Sequence, residues 1–451
     1  MSKDIKLKKG LNINLSGEAD KVYASVPFSE TFIVRPTDFH GLTPKLVVKE
    51  GDEVLSGSTL FFDKYNEAVK FSSPVSGKVT AINRGAKRRI MEVVITANDS
   101  EVKYRSFEKM DHTDLSREQI INHMLESGVW PFIRQKPFDI IANQNDNPKA
   151  IVISSFNTEP LSADNDFVLH GLEKEFQNGI EILTKLTDGK VHLNVDGNTN
   201  PSKVFTDTKG VEINKFSGPH PSGNVGIQIH HLDPINKGDI VWYLYPQDVL
   251  AVSRLFSEGK YDVSRIVALT GSQVKKPRYY RMIAGSSISK MVEDNLNEGE
   301  SRFISGSVLT GSKIEADGTI GFYDTQVTVI PEGNYQEFFG WIAPGLNKFS
   351  MSKAYFSWLS PSKKFDLDTN YHGEERAYVV TGQYEKVLPM DVYPMQLVKA
   401  CLMEDIEAME NLGIYEVSPE DLALCEFVCT SKMEVQSIIR DALDLVKKEC
   451  S

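Results

Sequence analysis

Apolar positions along the chain fall into strand-like and helix-like patterns. Short apolar runs bounded by glycine and proline predict strands within Val47 to Phe62 and Phe71 to Ile82, with Gly51, Gly57 and Gly77 at turns and Pro74 entering the second segment. Ala150 to Ile153 are wholly apolar and mostly β-branched, too short a run for a helix, so they predict a buried strand ending near Ser155. Further strands are predicted within Asp239 to Val249 and on both sides of the turn at Gly271, the second leading to a helix that starts near Ser286 or Ser287. Helical spacing is as clear. Ser116 and Gln119 make a capping-box signature ahead of Ile120, Ile121, Met124 and Leu125, and Gly128 stops the segment. Phe167, Val168, Leu172 and Phe176 recur beyond the N-cap candidates of Ser162 to Asp166, and a helix is predicted through Arg254 to Glu258. Pro394 opens a run with Leu397, Val398, Cys401 and Leu402 on one face, ending at Gly413. Ser431 and Glu434 read as a capping box for a last helix with Val435, Ile438, Ile439, Ala442, Leu443 and Val446 on one stripe.

The stretch Pro148 to Asp166 reads as strand, polar loop and helix start. In open α/β sheets ligands lie outside the carboxyl ends of strands, so Asn157, Thr158 and Glu159 would face a ligand. The segment Ser127 to Asp139 contains Trp130, Pro131, Phe132, Pro137 and Phe138. A loop that cradles phosphates needs glycines, so that backbone N–H groups reach the anion; rings and prolines fill that space and remove donors. The same residues suit a flat apolar ligand such as a quinone headgroup, lined by Trp130 and Phe132 with Arg134 or Lys136 near a carbonyl. The competing reading is a hydrophobic seal between domains.

A length of 451 residues fits about three domains, and 41% hydrophobic with 25% charged residues is ordinary for a globular protein that buries real cores. A formal net charge of -12 argues against a general nucleic-acid binder. Arg84, Lys87, Arg88 and Arg89 form a basic group that reads as a solvated hairpin tip, or as a contact for anionic lipid or an acidic partner. No apolar run reaches 18 residues and Met1 to Leu15 lacks a signal-peptide core, so a cytoplasmic location is expected. Cys401, Cys425, Cys429 and Cys450 cluster near the C-terminus and are expected as reduced thiols. His220, His230 and His231 read as loop anchors, and no metal site is predicted.

Several segments carry resemblances. The order E-G-D-x-V-x-x-G with S-P-V-S-G-x-V resembles the biotinyl/lipoyl-type barrel-sandwich domain. Its tip, Asp63-Lys64-Tyr65-Asn66-Glu67, lacks the Met-Lys-Met setting of carriers, which favours a structural domain over one modified at Lys64. The loop N-T-E-P followed by Leu-Ser-Ala-Asp resembles the E-C-E-P loop of complex I's NADH-binding flavoprotein and of its counterpart in the Rnf complex. Asn157 and Thr158 replace the acid and the cysteine, which marks a vestigial nucleotide loop, and Ser127 to Asp139 stands where those relatives carry a glycine-rich phosphate loop. Arg265 to Val292 resembles the SLBB β-grasp module, with Pro277, Tyr280 and Gly285 in register, and Arg302 to Ile314 resembles the glycine-rich return that follows it. Where the Rnf relative has a two-cluster ferredoxin, this chain has Tyr378, Thr381, Tyr384 and Leu388, then Pro419, Leu422, Cys425 and Cys429, in the eight cysteine places. Two thiolates do not hold an iron–sulfur cluster.

The combination resembles the A-subunit family of the Na⁺-translocating NADH:quinone oxidoreductases. It implies an α/β multidomain chain: a barrel-sandwich domain with an N-terminal extension (1–100), a Rossmann-like flavoprotein-type α/β domain (101–255), an SLBB β-grasp module (256–300), a return to the α/β domain (301–370) and a C-terminal helical domain derived from a ferredoxin-like region (371–451). It further implies a peripheral subunit on the cytoplasmic face of the bacterial membrane, docked on the membrane-embedded NqrB-type subunit, in a complex that couples electron transfer from NADH to ubiquinone or menaquinone with Na⁺ export. FMN, riboflavin, FAD and iron–sulfur are then expected on other subunits, this chain binding no cofactor, contributing to quinone binding and having no independent catalysis. The alternative is an FMN- or NADH-binding oxidoreductase using the loop around Glu159.

Overall fold

The computed structural model describes residues 2–340 and 342–450. Its largest sheet has seven strands in the order Asp4–Lys6, Glu212–Ser217, Lys190–Asp196, Ala150–Ser154, Val241–Leu244, Arg134–Lys136 and Ile140–Ile141. The first five run parallel and the last two antiparallel. Parallel strands are buried on both faces, and alternation along Ala150–Ser154 divides the core accordingly. Ile151 and Ile153 pack with helices Glu173–Thr184 and Pro246–Glu258, whereas Ala150 and Val152 pack with helix Val225–Leu232 and the C-terminal helices.

The N-terminal barrel-sandwich pairs a four-stranded sheet, ordered Thr31–Val34, Ile90–Ala97, Gly77–Arg84 and Glu53–Val54, with a three-stranded one of Pro44–Leu46, Thr59–Asp63 and Asn66–Ser72. The residues before it belong elsewhere: Asp4–Lys6 edges the seven-stranded sheet and Asp20–Ala24 edges a third, six-stranded sheet. That third sheet contains Ser264–Thr270 and Arg278–Ile283, and it continues past residue 300 through Ser301–Ser305, Ser312–Ile314 and Gln326–Pro331.

Helix Arg117–Ser127 has the predicted Ser116–Gln119 capping box and ends at Gly128 in the left-handed conformation, φ 83°. Other helices depart from their predicted bounds. The apolar spacing from Phe167 to Phe176 is split into Asn165–Val168 and Glu173–Thr184, because Gly171 at φ 83° turns the chain between them. The run from Pro394 is two helices, Pro394–Leu402 and Ile406–Asn411, since Asp405 accepts from the Ala408 amide and starts a new one. The last helix, Val435–Cys450, lacks the expected Ser431–Glu434 box: Ser431 Oγ donates to the Ala377 carbonyl, and Glu426 accepts the first-turn amide of Gln436 at 2.9 Å. No helix among the described residues is long and apolar enough to cross a membrane.

Candidate functional site

The parallel order of the main sheet reverses between Ala150–Ser154 and Val241–Leu244, and a crevice at such a switch point is where α/β sheets hold ligands. The loop after Ala150–Ser154 is tightly tied. Asn157 Oδ1 accepts the Glu159 amide at 2.8 Å, and Glu159 Oε1 accepts from Ser307 Oγ at 2.8 Å and Thr310 Oγ1 at 2.6 Å. Thr158 Oγ1 accepts the Gly223 amide at 2.9 Å and lies 3.0 Å from His220 Nδ1. Burial lowers the His220 imidazole to about 4, so it is neutral near pH 7. The structure therefore brings Asn157, Thr158 and Glu159 together, joined to His220 and to the serine–threonine loop beyond Ser305.

The second predicted group divides in two. Trp130 and Phe132 lie in a 3₁₀ turn with no exposed surface: Trp130 Nε1 donates to the Ala142 carbonyl at 2.8 Å, and Phe132 stacks on Phe322 at 4.8 Å. Arg134 and Lys136 follow on a strand paired on both sides, where the period of two sends both to the same face. The Arg134 guanidinium sits 4.6, 5.1 and 4.5 Å from the ring centres of Tyr243, Tyr245 and Tyr323. Lys136 has a side chain 1% exposed and lies 3.5 Å from Asp139, which also accepts the Tyr243 hydroxyl. Burial opposes charge on Asp139, yet Lys136, Arg134 and Tyr243 hold its carboxyl well below the usual range. Phe138 and Asp139 take φ of 78° and 53°, strained values for side chains with a Cβ, the kind of backbone found where a site dictates geometry.

A 3₁₀ turn from the C-terminal region, Glu420–Leu422, closes the crevice. Tyr245 Oη lies 3.5 Å from Glu420 Oε1, and Asn224 Nδ2 donates to the Glu420 carbonyl at 3.2 Å. Asp421 Oδ2 accepts from Ser418 N and Oγ at 3.1 and 2.6 Å and lies against the first turn of helix Val225–Leu232. A Cβ on Gly226 would be 2.2 Å from that oxygen. The carboxyl therefore packs directly against the backbone of that first turn. Burial, with Asp421 next, pushes Glu420 up to about 8, and burial raises Asp421 as well. Arg134 Nε, Lys136 Nζ, His220 Nε2, Asn224 Oδ1 and Asp421 Oδ1 are all buried without a hydrogen-bond partner. The arrangement is a packed, largely buried cluster of polar and charged side chains. Asp139, Tyr243, Tyr245, Tyr323, Glu420 and Asp421 belong to it and were not singled out from the sequence. Only burial marks them, and burial across 280 residues of separation leaves no local pattern.

Beside strand Arg134–Lys136 lies an open cleft of about 570 Å³, formed by Leu42, Val69 and Phe71 of the barrel-sandwich, Gln135, Phe138 and Ile140, and Lys447 of the last helix. Its lining mixes these apolar side chains with polar ones such as His40, Asn66, Asn143 and Asp146, a combination that suits a small organic ligand with polar groups. Burial lowers the Lys447 ammonium pKa.

Residues Tyr378, Tyr384 and Cys429 of the C-terminal region come together. Tyr384 Oη donates to Cys429 Sγ at 3.0 Å, and the Tyr378 ring lies 6.2 Å from that of Tyr384. The amides of Thr381 and Gly382 point at Met395 Sδ, at 3.3 and 3.2 Å. Cys425 is fully buried and burial pushes its thiol well up. Among the described residues no group of three or more His, Cys, Asp or Glu is arranged to hold a metal ion.

Three family models match consecutive parts of the chain: "NqrA N-terminal barrel-sandwich hybrid domain" at residues 5–98, "NqrA second alpha/beta domain" at 115–261 and "NQRA C-terminal domain", of SLBB type, at 266–316. The chain is 39% identical over 447 residues to the A-subunit of the Na(+)-translocating NADH-quinone reductase of Yersinia pestis bv. Antiqua (strain Angola), covering 99% of this chain and 100% of that protein. The A-subunits of the same reductase from Hahella chejuensis (strain KCTC 2396) and Photorhabdus laumondii subsp. laumondii are 38% and 36% identical, again over 99% of this chain and 100% of theirs.

Proposed function

The chain belongs to the A-subunit family of the Na(+)-translocating NADH-quinone reductases, and from that premise we propose that it works inside the complex without a prosthetic group of its own. In this reading the complex passes electrons from NADH to ubiquinone or menaquinone and exports Na⁺, and the chain sits peripherally on the cytoplasmic face of the membrane, docked on the membrane-embedded NqrB-type subunit. Other subunits carry the flavins and the iron–sulfur centre. The divisions near residues 100, 255 and 370 are its domain boundaries, with the β-grasp module running on through its sheet to Pro331 instead of ending near 300, the α/β domain is a flavoprotein-type Rossmann relative, and the C-terminal helices descend from a ferredoxin-like region.

One observation carries the reading: the switch-point crevice is occupied by the chain's own Glu420–Leu422 turn, whose Asp421 carboxyl packs against Gly226 in the first turn of helix Val225–Leu232. The tyrosine pair around Cys429 supports the same view for the former cluster region, since a phenol–thiol hydrogen bond occupies the space between former ligand positions. The loop Asn157, Thr158 and Glu159 is then a remnant whose polar groups are satisfied internally.

Quinone binding engages the segment Trp130, Phe132, Arg134 and Lys136. Gln135 and Phe138, from the same segment, line the adjoining cleft, so a headgroup there lies against the strand that carries the two cations. Trp130 and Phe132 form its rigid backing, and Arg134 and Lys136 supply positive potential through the strand. The test is an absorption spectrum and metal analysis of the purified chain, followed by calorimetric titration with a water-soluble quinone. A colourless, metal-free protein whose quinone affinity falls about ten-fold in Phe132→Ala and Arg134→Ala is expected. Bound flavin or iron overturns the cofactor-free role, and unchanged affinity in both variants overturns the quinone assignment.

A further inference from the structure

Between Glu332 and Phe365 the chain runs as an irregular arm, tied to the C-terminal core at Phe349 and Met351. It departs from the last strand of the six-stranded sheet, Gln326–Pro331, and is anchored again at Phe365, whose amide donates to the Asn14 carbonyl at 2.8 Å. Among the described residues its regular structure is a single 3₁₀ turn, Phe356–Leu359. The course is nevertheless fixed by internal contacts: the Phe356 amide donates to the Pro344 carbonyl at 2.9 Å, Ser357 Oγ to the Lys348 carbonyl at 2.5 Å, and Lys363 Nζ to the Leu346 carbonyl at 2.8 Å.

Apolar side chains point outward from this arm. Phe338 is 89% exposed, Ile342 62%, Leu346 60%, Phe356 56%, Trp358 50% and Leu359 62%. Scattered exposed apolar residues are ordinary, but a concentration of aromatic ones on one segment marks an interaction surface. Charge gives the second observation. From Phe338 to Phe365 the sequence has lysines at 348, 353, 363 and 364 and no acidic residue, within a chain of formal net charge -12. Glu337 meets Lys348 and Glu18 meets Lys364, both from outside that stretch, while Lys353 and Lys363 have no carboxylate partner among the described residues.

We propose that this arm is the chain's docking element for another protein of the reductase complex, on a surface that offers apolar pockets for Phe338, Ile342, Trp358 and Leu359 and carboxylates for Lys353 and Lys363. The proposal rests on the reading of the chain as part of that complex and names the surface it uses. Charge complementarity selects an acidic partner face, since an acid-free segment in a net-acidic chain is the part such a face attracts. A protein surface fits better than a bilayer, because the described residues of the arm form no amphipathic helix of the kind by which segments lie in a membrane interface.

The experiment uses the complex assembled in its own host with an affinity tag on one of the other proteins of the complex, and reads how much of this chain is recovered with it. The paired changes Phe338→Ser with Ile342→Ser, and Trp358→Ser with Leu359→Ser, are each expected to lower recovery about ten-fold, and Lys353→Glu to lower it in a salt-dependent way. The isolated variants should melt with the wild-type chain, because the altered side chains are exposed. Full recovery of both paired variants overturns the proposal while leaving membership of the complex intact, and failure to recover the wild-type chain overturns that membership itself. Flotation of the isolated chain with phosphatidylglycerol vesicles, lost in the same variants while assembly is kept, would assign the arm to lipid and overturn the protein partner.

Discussion

The hydroxyl of Tyr384 donates a 3.0 Å hydrogen bond to the sulfur of Cys429, across 45 positions of chain. Both atoms are buried, and burial first, then the neighbouring thiol, raises the tyrosine's pKa. The bond joins the short helix Tyr384–Val387 to the end of helix Ala423–Phe427, and those helices pack around the same core as Val435–Cys450. The C-terminal region therefore holds together by ordinary side-chain packing.

Tyr384→Phe tests how much that bond matters. It removes the donor without changing volume, and sulfur is a weak acceptor, so denaturant unfolding is expected to show a loss of about 1 kcal/mol or less. A loss above ~3 kcal/mol would mean that the hydroxyl does more than complete this packing.

Gly226 is needed by the approach of Asp421. A Cβ there would be 2.2 Å from Asp421 Oδ2 and 2.7 Å from its carboxyl carbon, so Gly226→Ala must push the Glu420–Leu422 turn off the helix start. The expected loss is roughly 2–3 kcal/mol, the range of overpacked cores. Combining it with Asp421→Ala should cost clearly less than the sum of the two single changes, because the truncated side chain vacates the space; strict additivity would show that the two sites are uncoupled.

How far the chain is legible before it folds can be seen around this turn. The strand Ala150–Ser154, the helix Arg117–Ser127 and the pairing of barrel-sandwich hairpins all follow from local pattern, because capping residues, glycine turns and apolar alternation act over a few residues. Glu420 and Asp421 carry no signal in the sequence, yet Asp421 is buried within the field of Lys136 and Glu420 lies beside it. Nothing within ten residues of either side encodes that meeting. The Ser431–Glu434 cap fails for a related reason: Glu426 satisfies the amide from a neighbouring helix, and the tertiary partner displaces the local one. In the site, Arg134 and Lys136 were visible as cations in an apolar segment, whereas the tyrosines surrounding Arg134 come from the end of one other strand, Val241–Leu244, and from a distant loop.

Lys136→Met probes the buried charges directly. It leaves Asp139 and Asp421 without the cation whose field favours their charge, and removing one partner of a buried pair typically costs ~3–5 kcal/mol. Adding Asp139→Asn should restore part of that stability, since the stranded carboxylate is then neutral. Unfolding curves of the single and double variants decide the matter, and a double variant weaker than Lys136→Met would mean that Asp139 is held by Arg134 and Tyr243 without need of the lysine.

The proton on Glu420 gives the fold a pH dependence with a definite sign. Burial pushes this carboxyl up to about 8, whereas in the unfolded chain it titrates near the ordinary glutamate value of ~4.3. Between those values the folded state holds a proton that the unfolded state has released, so stability falls as pH rises, with a limiting slope of ~1.4 kcal/mol per pH unit, and levels off above about 8. Asp38, pushed up to about 6 by burial, acts in the same direction but its effect is complete once the pH has passed that value. His220 acts oppositely: lowered to about 4 by burial, it stays neutral when the unfolded imidazole gains a proton, so its contribution rises with pH until the unfolded value of ~6.5 and then stops. These effects offset one another at acid pH, and from about 6.5 to 8 the Glu420 contribution prevails. Denaturant midpoints should therefore fall across that interval in the wild-type chain and stay level in Glu420→Gln, which keeps the shape of the side chain without a proton to lose. A wild-type curve that is level from 6.5 to 8, or a decline that persists unchanged in Glu420→Gln, would show that this carboxyl is already ionised in the closed crevice and that Lys136 compensates it fully.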